Sequence, residues 1–261
     1  MSMRSLLIRS KNTGRLYLID NGSGDKFNEK MSRIYGLDYT AYNLLDSLEA
    51  AGVRSEDITD LIFTHLHFDH CGGTTSYNEN ESLVHNFPNA AYHVHERHWK
   101  TATTPNSREK ASFLSDNINP IKESGRLHLT NDETVFEDGL SLLMAEGHTE
   151  AQQLPFIQDH ERQRAILFAA DLIPTHVHVP LPWVMGYDMR PLVTLQEKEK
   201  YLRQFASEGT YLFLEHDAFE EMIQVGYDND AFYVSKTLKL QDLQDDEDLQ
   251  DKDHRENQET A

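Results

Sequence analysis

Residues 64–72 read Thr-His-Leu-His-Phe-Asp-His-Cys-Gly and place four side chains of metal-ligand type within six positions: His65, His67, Asp69 and His70. An apolar run at 61–63 precedes them, and Gly72 and Gly73 follow. A strand that stops in a glycine-closed turn can aim several imidazoles and a carboxylate at one point. Neutral imidazole with carboxylate suits zinc, and also iron or manganese. The rest of the chain must therefore fold so that this strand end sits in a protected cleft.

The spacing His-x-His-x-Asp-His resembles the signature of the metallo-β-lactamase superfamily. The resemblance implies further ligands, and each has a counterpart: His148 in Glu-Gly-His-Thr, Asp171 in Ala-Ala-Asp-Leu, and His216 in Leu-Glu-His-Asp. Each of the three follows its own apolar run, at 140–144, 165–168 and 212–214. Carried over residue by residue, the resemblance implies that His65, His67 and His148 hold one metal. Asp69, His70 and His216 would hold a second, with Asp171 bridging. The implied cofactor is two Zn2+ ions, with Fe or Mn compatible with the same ligand types. Such a pair lowers the pKa of a bridging water towards neutrality, which implies a binuclear hydrolase using a bridging hydroxide on an ester-like bond of a small molecule: a lactone, a carboxylic ester or a thioester. Asp69 would also orient that hydroxide. The implied fold class is α+β, the αββα sandwich of two mixed β-sheets flanked by helices. Segments 24–36 and 105–113 resemble a single-domain branch of lactonase and glyoxalase II-like hydrolases, and Asp20 is expected to support the site without being a ligand.

Two departures from that family pattern stand out. Acyl-homoserine lactonases of the superfamily carry Tyr three positions after the bridging Asp, where this chain has Pro174; relatives commonly continue Gly-His-Thr with Pro-Gly, where this chain has Glu150 and Ala151. The segment 173–190 is rich in proline, which stiffens a loop, and it follows Asp171 directly. We therefore expect it to wall the substrate pocket. His176 and His178 alternate, as on an extended chain facing one side, and Trp183 and Tyr187 lie in the same segment. Asp69, His178 and Tyr187 are the expected catalytic residues, since a Tyr or His there could bond an oxyanion or protonate a leaving group. Competing readings are a persulfide dioxygenase-like oxidoreductase with one iron, and an RNase Z-like phosphodiesterase.

Composition narrows the partners. The net charge of −20 disfavours nucleic acid, whose binding rests on clustered Lys and Arg. Residues 241–261 hold nine acids against two bases and little to bury; we expect a hydrolase domain over 1–240 and an acidic, disordered tail over 241–261. No apolar run reaches the length of a membrane span. The single cysteine, Cys71, suits a reducing compartment, and without a signal-peptide pattern at its start the expected location is cytoplasmic, while the oligomeric state is not legible. His95, Glu96 and His98 mimic a zincin motif, but its second histidine belongs four positions after the first; His93 and His95 are read as structural. Thr40 is expected to cap a helix from Ala41, and Thr194 one running through Phe205.

Overall fold

The computed structural model describes residues 1–40 and 43–243; most of the expected tail, 244–261, lies outside the described residues. Two mixed sheets form the framework. The first has five strands in the order Leu6–Arg9, Leu16–Ile19, Asp60–Ile62, Ala91–His95 and Leu127–Thr130. Its first pair is antiparallel and the rest parallel. The second has seven, in the order Ala231–Leu238, Met222–Asp228, Tyr211–Phe213, Arg164–Phe168, Gln152–Asp159, Leu140–Ala145 and Val135–Glu137. Only the pairing of Arg164–Phe168 with Tyr211–Phe213 is parallel there.

Strand period places the core. Along Leu16–Ile19 successive side chains point to opposite faces. Tyr17 and Ile19 join Leu6, Ile62, Leu154, Phe168 and Phe213 in one apolar cluster that links the two sheets. Leu16 and Leu18 join Leu48, Ala102, Ile118 and Ile121 in a second cluster, under the helices Leu44–Ala50, Glu96–Thr103 and Ser115–Glu123. The helix Pro191–Glu208 covers the seven-stranded sheet, contributing Tyr201, Leu202 and Phe205 to the first cluster. The layers are helix, sheet, sheet, helix, as the αββα sandwich requires. No helix among the described residues is long and apolar enough to cross a membrane. Each fully buried large apolar side chain stabilises by roughly 1.5–3 kcal/mol, so two such clusters can carry a cluster of buried polar groups at the sheet ends.

Several local expectations need correction. Helix Leu44–Ala50 starts later than expected: Asn43 is its cap, accepting from the Asp46 N–H at 2.8 Å, and Ala41 lies outside the described residues. The helix after the proline-rich segment begins at Pro191, not after Thr194. Proline suits the first helical position because its missing N–H would be unpaired there anyway. Asn106 or Ser107 could cap a helix in 105–113 by residue type, but only a short 3-10 turn, Lys110–Ser112, forms there. Residues 176–178 also form a 3-10 turn, so His176 and His178 do not alternate along an extended chain as expected. The strand Met222–Asp228 was not anticipated; it pairs with Ala231–Leu238. At the start of the expected tail, Leu243 is buried and its carbonyl accepts from Arg164 at 3.2 Å.

Candidate metal centre

Four strand ends converge. The chain leaves Asp60–Ile62 through Phe63 and Thr64, turns at His67, and enters the one-turn helix Phe68–Cys71. The turn lies flat against residues 20–24: a Cβ on Gly72 would sit 2.0 Å from the Ser23 carbonyl oxygen. Asp20 fixes the approach, its carboxylate accepting from the Thr64 N–H at 2.7 Å and the Thr64 hydroxyl at 2.6 Å. After Leu140–Ala145 the chain turns through His148; a Cβ on Gly147 would meet Thr194 Oγ1 at 2.2 Å. After Arg164–Phe168 it turns through Ala170, held in the left-handed region at φ 42°, and this aims Asp171 inward. After Tyr211–Phe213 comes His216, clamped by the N-terminal segment through hydrogen bonds from Ser2 and Arg4 to residues 214–217.

All seven sequence-predicted ligands meet. His65, His67, His148 and Asp171 offer ligand atoms within 4.8 Å of one another, and Asp69, His70 and His216 form a second such group. His67 Nδ1 stands 3.0 Å from His65 Nε2 and 3.2 Å from His148 Nε2. One Asp171 oxygen lies 3.0 Å from His148 Nε2, 3.4 Å from His70 Nε2 and 3.6 Å from His65 Nε2; the other lies 2.9 Å from His216 Nε2. These are edge lengths of a coordination tetrahedron: zinc–nitrogen bonds of 2.0–2.1 Å separate neighbouring nitrogens by about 3.3 Å. Asp171 Oδ1 is buried without a hydrogen-bond partner although His216 Nε2 is that close. Imidazole nitrogens that face one another across a buried cluster, with a carboxylate oxygen left unpaired among them, are what a shared cation arranges, so the residues fit divalent metal.

The far nitrogens of four of the five rings are occupied, which fixes ring orientation and the coordinating nitrogen. His65 Nδ1 meets Thr64 Oγ1 at 3.0 Å, and His216 Nδ1 meets the Ser2 carbonyl at 2.9 Å. His148 Nδ1 meets Asp188 at 3.0 Å, and His70 Nδ1 lies between Asp20 at 3.0 Å and Glu215 at 3.1 Å. His67 is turned the other way, with Nδ1 inward and Nε2 facing Glu109 at 3.8 Å. Asp20, Asp171, Asp188, Glu109 and Glu215 are all buried, and each pairs with a histidine.

That concentration of buried acid governs the protonation of the rings. Burial opposes charge on His148, but Asp171 and Asp188 outweigh it and raise the ring to about 9. His216 is likewise raised to about 9, burial being overcome chiefly by Asp171. Burial alone would push Asp171 up, yet His148, His216 and His70 hold its carboxyl well below the usual range. His65 is driven well down by burial, with His70 and His67 adding to it. Burial pushes the Glu215 carboxyl up. The centre attracts positive charge, as protons or as metal.

Among the remaining expected residues, Asp69 is the most open of the seven, its side chain 21% exposed and 3.8 Å from His70 Nε2. His178 is half-buried and takes the Thr175 hydroxyl at 2.7 Å. Burial lowers its ring, the nearby Lys198 adding, while Asp188 and Asp171 pull the other way. His176 is turned to Asp217. Trp183 and Tyr187 stand 61% and 77% exposed. Outside the site, His93 pairs with Asp60 at 2.8 Å and His95 with Asp132 at 3.0 Å, as structural residues do. Cys71 is fully buried, and burial pushes its thiol up to about 12.

Several supporting residues escaped sequence reading. His98 accepts from the Leu66 N–H at 2.8 Å and faces the Glu150 carbonyl at 2.7 Å, joining the metal loop to the His148 turn. Glu109 takes the Thr149 hydroxyl at 2.6 Å. Glu150 and Ala151 replace the family's Pro-Gly, and Ala151 keeps a left-handed φ of 50°. Glu150 binds Arg97 at 3.1 Å and Arg190 at 2.9 Å. The departing Pro-Gly pair was the available signal for a differently braced turn; Glu109, Asp188 and Glu215 had none.

Comparison with known proteins follows the same lines. Residues 4–216 match the family model of the metallo-beta-lactamase superfamily. Among solved structures, one described as a probable metal-dependent hydrolase from Staphylococcus aureus is 24% identical, with a TM-score of 0.78 over 91% of this chain and 83% of that one. AidC, a dizinc quorum-quenching lactonase, is 22% identical with a TM-score of 0.71, covering 90% and 79%. The hydrolase AbOPH is 22% identical with a TM-score of 0.66, covering 85% and 76%. No curated protein matches the sequence.

Proposed function

This chain belongs to the metallo-beta-lactamase superfamily as a metal-dependent hydrolase, and we propose that it holds two divalent ions, zinc first, and cleaves an ester-like bond of a small molecule: a lactone, a carboxylic ester or a thioester. The observation that carries this reading is Asp171, which stands between the two histidine groups: one oxygen lies 3.0 Å from His148 Nε2 and 3.4 Å from His70 Nε2, the other 2.9 Å from His216 Nε2. A one-iron oxygenase would leave that second oxygen and the set of Asp69, His70 and His216 without a task. Two such ions supply Lewis acidity and lower the pKa of water.

The protein's own groups divide the remaining work. Asp69, open on the cleft side, accepts a proton and orients the attacking water. His178 and Tyr187, on the segment between Asp171 and Asp188, contact the substrate. The net charge of −20 supports a small-molecule substrate over nucleic acid. The preference for lactones draws support from AidC, a lactonase by its description, although a likeness at that identity speaks for the fold alone. The test is metal content by mass spectrometry, followed by a hydrolysis screen over lactones, esters, thioesters and phosphodiesters. Two zinc ions per chain with turnover on one of the first three is the expected result. One iron with oxygen uptake would replace this reading.

A further inference from the structure

Helix Pro191–Glu208 buries apolar side chains at its far end, Tyr201, Leu202 and Phe205, but its buried positions one turn earlier are Thr194 and Lys198. Lys198 is completely buried. Its ammonium donates to the carbonyls of Pro180 at 3.0 Å, Leu181 at 3.3 Å and Trp183 at 2.7 Å. A lysine ammonium has three donors and no acceptor, so three converging carbonyls use it completely. The requirement runs both ways. Pro180 and Pro182 contribute no N–H; the turn closes through the Trp183 N–H to the Pro180 carbonyl at 3.1 Å, and the Leu181 and Trp183 carbonyls take their donor from Lys198. A charge taken out of water needs such partners to remain there; burial lowers this ammonium to about 8, with Asp188 the nearby charge that favours it.

The same helix also ties down Asp188 and the turn that carries His148. Thr194 donates to Asp188 at 2.8 Å, the carboxylate that holds His148. Glu197 accepts from the N–H groups of Glu146 and Gly147 at 2.7 and 3.0 Å. Both ends of 173–190 are therefore fixed at the metal centre, through Asp171 and Asp188, and its middle is wrapped around Lys198. The Trp183 carbonyl is gripped while its indole stands in solvent, so the ammonium decides which way the exposed edge of the segment faces.

We propose that Lys198 is a positioning residue that sets substrate choice by shaping the 180–183 turn against the metal centre. The proposal rests on the reading of 173–190 as the substrate wall. The full-length protein loaded with zinc is compared with Lys198→Met, which keeps the length and loses the donors, and with Lys198→Gln, a milder change that still offers two N–H donors. The probes are p-nitrophenyl acetate against the octanoate, and γ-butyrolactone against γ-decalactone, with amide hydrogen exchange read at Trp183, whose N–H donates to the Pro180 carbonyl at 3.1 Å. The expected result for Lys198→Met is exchange at least tenfold faster there and unchanged zinc content. Displacements of about an ångström cost on the order of a hundredfold in rate. The kcat/KM on the preferred probe should fall by about that much, through KM more than kcat, with a smaller loss on the short probes. Lys198→Gln should fall between. Faster exchange with an unaltered probe ranking overturns the proposal by removing the wall from the substrate. Unaltered exchange and ranking in both variants, while Trp183→Ala or Tyr187→Ala reorders the probes, overturns it while leaving the wall in place.

Discussion

Replacing Asp188 by alanine separates the two halves of the metal centre. Asp188 is buried and holds His148 Nδ1 at 3.0 Å, its other oxygen taking the Thr194 hydroxyl at 2.8 Å. His148 belongs to the group with His65, His67 and Asp171. The far nitrogens of His70 and His216 are held instead by Asp20, Glu215 and the Ser2 carbonyl. Removing an outer partner of a ligating histidine costs 10–100-fold in metal affinity, or about 1.4–2.7 kcal/mol. The loss should fall chiefly on the first ion; the second, linked to it through Asp171 alone, should weaken several-fold less, since coupling runs only through shared partners. Asp188→Asn, which keeps an acceptor and loses the charge, should lie between wild type and alanine. Zinc titrated against a chromophoric chelator resolves the two affinities. Equal weakening of both ions, or of neither, would refute the claim that Asp188 acts through His148 alone.

Other perturbations follow from the same geometry. Asp171→Ala should abolish hydrolysis and reduce bound zinc below one ion per chain, because one carboxylate faces both histidine groups; retention of both ions would remove the bridge. Ala151→Gly should stabilise the fold by about 0.5–1 kcal/mol in urea unfolding, since Ala151 sits at φ 50°, where a Cβ is unfavourable; a loss of stability would mean the neighbouring ion pairs need alanine there. His98 is lowered to about 3, chiefly by burial. Its contribution is whole above the unfolded value near 6.5 and is lost as pH falls towards 3, about 2–3 kcal/mol by pH 4.5. The pH slope of stability of zinc-stripped protein should therefore be shallower in His98→Asn than in wild type. A chain ending at Leu243 should keep its melting temperature and activity, since residues 244–261 carry eight acids and two bases and little to bury; a fall of many degrees would show that they dock.

The convergence of the seven residues was legible because their types are chemically unusual and each group follows an apolar run. Strand period and ligand type then reinforce one another at His65, His148, Asp171 and His216. What supports them was not legible, for a physical reason. Asp188 reaches His148 across forty positions and Glu109 reaches Thr149 across forty, while Ser2 reaches His216 from the other end of the chain. Single carboxylates and a main-chain carbonyl carry no local pattern. The 176–178 segment misled because alternating histidines were taken as extended chain, whereas the Thr175 carbonyl accepts from the His178 N–H at 3.0 Å and closes a turn. Thr194 misled in the opposite sense. It has the chemistry of a helix cap, but Pro191 had already begun the helix, and the hydroxyl serves Asp188 instead.

Substrate choice must then be sought away from the ligands. Apart from His67 Nε2, the ring nitrogens of the five histidines point either inward to the cluster or outward to a support, and Asp69 is the most open of the seven residues. With the proposed ions bound, such a site would acidify water and polarise a carbonyl, but would recognise little of the molecule attached to that carbonyl. On the proposed reading, recognition would fall to two segments tied to it, 105–113 and 173–190. They are joined: Arg108 donates to the carbonyls of Gly186 and Asp188 at 3.2 Å each. Glu109, the next residue, faces the ligand His67, and Asp188 holds the ligand His148. A substrate that displaced either segment would pull on a ligand of the first ion. Selectivity and metal geometry are thereby coupled, and side-chain changes at exposed Trp183 or Tyr187 offer the means of altering the first without the second.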